Sequence, residues 1–273
     1  MKLTNKFNLP TQVVNWLTQF NEHNEAERAR SIVELETIFG PHKFKISATS
    51  MLKSTKEIIL TDRHYEEMEK DVTEVYDALI GTAVHESFRT MPLQPGEMRE
   101  IRVGASIKDV LITGQFDYIL NRKLGDYKNM KIGSFLFGDK EFEYTAQLSV
   151  NRFLFAADKR FGQELNSQGE IIMLFTDWRD REHKMKKYGF SDAPNYPHRA
   201  VQLTLDLWDF ESTEKFINRR ITDYKIAAME SDENLPPCND AERWTRIGKK
   251  KTTHAKCDQY CSVKPWCLQW RSE

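Results

Sequence analysis

The chain has 273 residues, 40% of them hydrophobic and 30% charged, with a formal net charge of −1. That length suits one large domain or a domain with an appendage, and the near-neutral balance excludes a global basic field, so attraction for nucleic acid must come from local patches. No run of 18 apolar residues occurs, which excludes a membrane-spanning helix, and the opening M-K-L-T-N-K-F-N-L-P has no apolar core of a secretory signal, so the expected location is cytoplasmic.

Residues 10–38 carry Val13, Val14, Trp16, Leu17 and Phe20, then Ile32, Val33, Leu35 and Ile38, at helical spacing, and Gly40-Pro41 ends the segment. A polar interval between the two apolar groups predicts a helical hairpin packed on the core; a lid or a partner-binding arm is the other reading. Residues 46–54 read as a capped turn or short helix. From Asp62 to Arg89 the apolar positions predict one long helix, with Gly81 and His85 on one face a turn apart. His85 alone fits a satisfied histidine as well as a metal ligand.

Residues 98–103 and 107–120 alternate as strands around an expected turn at Gly104–Ser106, and 124–129 form a third. Within G-Q-F-D-Y-I-L-N-R-K-L-G-D-Y-K, Asp117 ends the apolar run of one strand. Asp126 and Lys128 stand two apart on the next, so they share a face, with Tyr127 on the other. Two carboxylates and a lysine suit a hard divalent cation with a neighbouring positive charge. A hairpin with a polar outer face has the same pattern.

A helix over 141–160 holds Gln147 one turn before Asn151, and the unbroken apolar run 170–176 predicts a buried strand. Next, Arg179, Arg181, Lys184, Lys186, Lys187 and Arg199 alternate with Trp178, Tyr188 and Tyr196. Such a segment suits phosphates and unstacked bases, with Arg179, Arg181, Lys184 and Lys187 the candidate DNA contacts. A solvated loop is the plainer alternative. A strand over 201–208 and a helix over 213–229 follow. All four cysteines, Cys238, Cys257, Cys261 and Cys267, fall in the last 36 residues. In a reducing compartment that grouping favours a Zn site or a 4Fe–4S cluster over disulfides. The expected division is a helical arm over 1–45, a core over 46–235 and a cysteine-rich tail over 236–273.

Taken in order, Gly81-x3-His85, Gly114-x2-Asp117, Asp126-x-Lys128 and Gln147 resemble the motif series of RecB-like nucleases in the PD-(D/E)XK superfamily. The phrases T-S-M-L-K-S, D-R-H-Y-E-E-M-E, G-T-A-V-H-E and L-P-P-C-N-D-A-E-R-W are similar to phage-type members, and the likeness covers most of the chain after about residue 45. The resemblance implies an α/β, restriction-endonuclease-like core: a mixed central sheet flanked by helices. It implies Mg²⁺- or Mn²⁺-dependent hydrolysis of DNA, expected as exonuclease work in recombination, repair or replication, in a bacterial or phage-infected host cell. By the same comparison His85, Asp117, Asp126 and the backbone carbonyl of Tyr127 hold the metal, Lys128 is the catalytic lysine, and Gln147 positions substrate or lysine.

Two departures stand out. Asn151 occupies the place where the family's helix motif has tyrosine. The family's Fe–S members set one cysteine before the nuclease motifs, whereas all four follow them here, so a cluster is expected to staple the tail to itself. A 4Fe–4S cluster is the first expectation and Zn²⁺ the second. No G-x4-G-K-[ST] phosphate loop is present, so unwinding falls to a separate helicase or recombination partner. The rival readings are a catalytically silent DNA-binding or assembly module of the same fold, and a zinc-stapled structural protein.

Overall fold

The computed structural model describes residues 1–137, 140–179, 197–247 and 252–272. Two compact units divide the chain: Met1–Asp77 with Ser106–Ile112 and Glu214–Glu273, and Ala78–Ala105 with Thr113–Thr213.

The first unit opens with β1 (Lys2–Thr4), which pairs in parallel with β3 (Glu69–Asp71). Between them runs α1 (Thr11–Phe39). The expected helical hairpin is one uninterrupted helix. Its polar interval contains neither glycine nor proline, so nothing breaks it, and it stops at Gly40, whose φ is 86°. β2 (Phe44–Ser47) and a 3₁₀ turn at Ser50–Leu52 lead into α2 (Thr55–His64). Ser54 caps α2 by accepting from the Glu57 amide at 3.2 Å.

The long helix expected over 62–89 is also corrected. It ends at His64, gives way to β3, and resumes as α3 (Val72–Arg89). Pairing with β1 takes the backbone of residues 69–71 out of helical geometry. The Asp71 carboxylate then accepts from the amides of Lys6 (2.7 Å) and Thr73 (3.0 Å), anchoring the N-terminal loop and starting α3. The remaining elements of this unit are most of α6 (Phe210–Met229) and the tail, with α7 (Asp240–Arg243), β9 (Thr245–Ile247), β10 (Thr252–His254), α8 (Ala255–Gln259) and α9 (Leu268–Arg271).

The second unit carries most of β4 (Met98–Ile107), the later part of β5 (Val110–Leu120), β6 (Lys123–Met130), α4 (Ile132–Phe137), α5 (Glu141–Ala157), β7 (Gln168–Phe175) and β8 (Ala200–Asp206). Its strands lie in the order β5-β6-β7-β8, with β4 also on β5. β5–β6 and β7–β8 are antiparallel and β6–β7 parallel. A parallel pair needs a crossover, and α5 lies in it, packing on β6, β7 and β8. The class is therefore α/β, with a mixed central sheet flanked by helices and a long N-terminal helix. The turn expected at Gly104–Ser106 lies instead at Lys108–Asp109, with φ of 48° and 58°, and the β5–β6 reversal at Asn121–Arg122 has φ of 51° and 62°. Paired positive φ values make the tight turn whose twist matches the strands, so β4 continues straight through Gly104.

Candidate metal centre and four-cysteine cavity

Within the second unit, α3 supplies His85, β4 Glu100, β5 Asp117, and β6 Asp126, Tyr127 and Lys128. His85, Glu100 and Asp117 each offer a ligand atom, and the three atoms lie within 4.8 Å of one another. His85 Nδ1 is 3.2 Å from Asp117 Oδ1 and 3.9 Å from Glu100 Oε1. The predicted face-sharing pair on β6 is present: Lys128 Nζ lies 2.5 Å from Asp126 Oδ2. Asp126 is not one of the three-ligand group.

Local structure explains the convergence. The second oxygen of Asp117 accepts from the Tyr127 amide at 2.5 Å, fixing the carboxylate against the next strand. The Tyr127 ring stacks on Phe88, one turn beyond His85, with centroids 3.9 Å apart. Gly125 is required there, because a Cβ would meet the Tyr118 ring at 2.0 Å. Gly114 of the G-x2-D phrase leaves room for Asn151, whose Oδ1 would stand 2.3 Å from a Cβ. Asn151, in the position where tyrosine was expected, is buried and donates to the Gln115 carbonyl at 3.0 Å. The Gln115 side chain in turn donates to Glu100 Oε2 at 2.6 Å.

Glu100 is the site residue that sequence reasoning missed. It sits in β4 with φ of 50°, a strained conformation for a residue with a Cβ. Strand alternation cannot report a carboxylate aimed by that kink; the only sequence signal was an acid inside a strand-like run.

The electrostatics are those of crowded carboxylates. Burial, opposed by Lys128 and reinforced by Asp117, pushes the Asp126 carboxyl up to about 6. Burial and then Asp117 raise Glu100. The bond to Asp117 raises His85 against the effect of its own burial. Asp126 Oδ2 is buried with no hydrogen bond of acceptable geometry, although the Lys128 ammonium is adjacent. A buried carboxylate whose close partner is a single ammonium, beside a His/Glu/Asp group, fits a hard divalent cation.

Of the other predicted residues, Gln147 is half-buried on α5 and makes no hydrogen bond among the described residues. Arg179 is exposed beyond the end of β7, while Arg181, Lys184 and Lys187 lie outside the described residues.

In the first unit all four cysteines are free thiols. Cys238, Cys257, Cys261 and Cys267 line one cavity with Ser54, Lys56, Glu57, Arg243 and Lys256 among others. Among the described residues no three of their sulfurs fall within 4.8 Å of one another. The four thiols line the cavity without closing into a cluster, so neither the 4Fe–4S nor the Zn²⁺ expectation is shown. The tail also reaches α2 directly. The Cys238 thiol donates to Ser54 Oγ at 3.2 Å, at the start of α2. Gln269 accepts from the Cys238 amide (2.8 Å) and donates to its carbonyl (3.0 Å), joining the first cysteine to the segment after the last. His64 stacks on Trp266 with centroids 4.7 Å apart.

No protein-family model and no curated protein matches the sequence. The fold is similar to that of SSO0001, whose crystal structure aligns with a TM-score of 0.51 over 87% of this chain and 92% of that one, at 14% identity. A phage-related exonuclease from Haemophilus somnus 129PT aligns at 0.39 and 14% identity, over 67% of this chain and 92% of that one. An alkaline exonuclease from Laribacter hongkongensis aligns at 0.35 and 12%, over 70% and 93%. The last two scores are below the level of a shared fold. Among the described residues no helix is long and apolar enough to cross a membrane.

Proposed function

We propose that this protein is a divalent-metal-dependent deoxyribonuclease, acting as an exonuclease on DNA in recombination, repair or replication. The observation that carries the reading is the meeting of His85, Glu100 and Asp117 beside the Asp126–Lys128 pair. These side chains come from four separate elements, and a strained backbone at Glu100 completes the group. His85, Glu100 and Asp117 would hold Mg²⁺ or Mn²⁺, with Asp126 and the Tyr127 carbonyl as further oxygen ligands. A bound ion supplies Lewis acidity toward the scissile phosphate and a water acidified toward neutrality. Lys128 offsets charge growing on the phosphate oxygens, and Asp126 holds its ammonium in place. Gln115 fixes Glu100, and Asn151 fixes the Gln115 backbone. Gln147 and the basic segment from Arg179 to Lys187 would contact the DNA.

The tail would hold a 4Fe–4S cluster. Its support is four soft donors lining one cavity. In a cubane each thiolate binds a different iron, so the sulfurs stand farther apart than around zinc. A helicase or recombination protein is the expected partner.

Digestion of end-labelled linear and circular DNA with Mg²⁺ or Mn²⁺ tests the reading. Wild-type protein should degrade the linear substrate and Lys128→Ala should not. DNA binding without cleavage by the wild type under several divalent ions would overturn it in favour of a silent module.

A further inference from the structure

Lys56 is the second residue of α2 and is only 6% exposed. Lysine is seldom buried that deeply unless it is paired. Its neighbours are compensated. Lys53 Nζ is 3.3 Å from one oxygen of Glu57, and Lys256 Nζ is 2.7 Å from the other. Lys56 makes no hydrogen bond and no ion pair among the described residues. It lines the cavity of the four cysteines, and its charge acts on Cys238.

The charges around that cavity do not balance with neutral thiols. Lys56 and Lys256 line it with Glu57 and Glu242, and Lys53 also pairs with Glu57. Glu57 is shared by two lysines, and Glu242 is engaged in the capping box of α7 with Asn239. An excess of positive charge remains beside the four thiols. An iron–sulfur cubane on four thiolates carries net negative charge, which grows on reduction.

We propose that Lys56 is a built-in counter-charge for an anionic metal–thiolate centre at the four cysteines, and a positioning residue that raises its reduction potential. The proposal rests on the 4Fe–4S reading of the tail. A fixed ammonium near the cluster favours the more negative, reduced state, one of the ways a protein sets the potential of such a centre. Lys256 contributes less, because Glu57 already cancels most of its field. Lys56 comes from α2, far from the cysteines in sequence, so the centre would join the tail to α2 by charge as well as through Ser54.

The test uses full-length protein purified anaerobically, with iron and sulfide counted and the midpoint potential measured for wild type, Lys56→Met and Lys56→Arg. Methionine keeps the length of the side chain and removes its charge; arginine keeps the charge. Lys56→Met should hold as much iron as wild type, with a reduction equilibrium constant about tenfold lower, about 59 mV for a one-electron couple. Lys56→Arg should restore the wild-type potential. An unchanged potential in Lys56→Met overturns the proposal and leaves the cluster reading standing. If Lys56→Met holds no iron, loading of Lys56→Arg supports the charge requirement, and failure of both variants reduces Lys56 to a packing role and overturns it. Wild-type protein without iron removes the cluster reading and this proposal together.

Discussion

Around Asp117, three carboxylates (Glu100, Asp117 and Asp126) face one imidazole and one ammonium, whereas around Cys238 three lysines (Lys53, Lys56 and Lys256) face two carboxylates (Glu57 and Glu242) and four thiols. Both regions are partly buried: Asp126 Oδ2 in the first has only the Lys128 ammonium beside it, and Lys56 in the second makes no ion pair among the described residues. The imbalances have opposite signs. A carboxylate excess is relieved by a cation with hard ligands, and an ammonium excess by an anionic thiolate centre. The net charge of −1 averages the two away, so the distinction is visible only where the side chains meet.

The largest expected effect is at the carboxylates. Asp117→Asn keeps an acceptor for the Tyr127 amide while removing the charge, so the fold should persist while metal-dependent cleavage falls at least about a thousandfold. Circular dichroism and a nuclease assay check the two halves. Cys261→Ser should abolish the visible absorbance and iron content of the tail, while Mn²⁺ titration of the carboxylate site is unchanged; altered Mn²⁺ affinity would break the separation of the two regions. A smaller effect is expected at Gln115, which holds Glu100 from behind. Gln115→Ala should weaken Mn²⁺ binding about 10–100-fold by calorimetry, as loss of a supporting hydrogen bond does elsewhere.

Much of the second unit was legible in the sequence. Period-two alternation put Asp126 and Lys128 on one face, and they meet at 2.5 Å. The unbroken run at 170–176 marked β7, which has a strand on each side. Glu100 was not legible, because a backbone kink aims it and no spacing rule encodes a kink. The interruption after His64 was missed for another reason. Residues 69–71 become a strand only because β1, more than 60 residues earlier, pairs with them, and local periodicity cannot report a distant partner. The same limit hid the contact of Cys238 with Ser54.

The smallest predicted effects concern stability. Gly125→Ala drives a methyl into the Tyr118 ring, which donates to Glu170 at 2.7 Å and has little freedom to retreat. A loss of about 1–3 kcal/mol in urea unfolding is expected, with the metal site distorted because Asp126 is the next residue. Asp71 gives a pH dependence. The Lys6 and Thr73 amides hold its carboxyl down at about 2, from an ordinary value of 3.8. Its contribution is therefore complete above about pH 4 and is lost as pH falls toward 2. Asp71→Asn should flatten the acid limb of the stability curve; an unchanged limb would contradict that role.

One group of side chains from α3, β4, β5 and β6 is proposed to form a divalent-metal nuclease centre. Release of nucleotides from end-labelled linear DNA, followed against Mn²⁺ concentration for wild type and Asp117→Asn in parallel, tests it most directly. Release by the wild type should saturate with Mn²⁺, and the variant should release none at any concentration; equal release by both would remove the carboxylate group from the reaction.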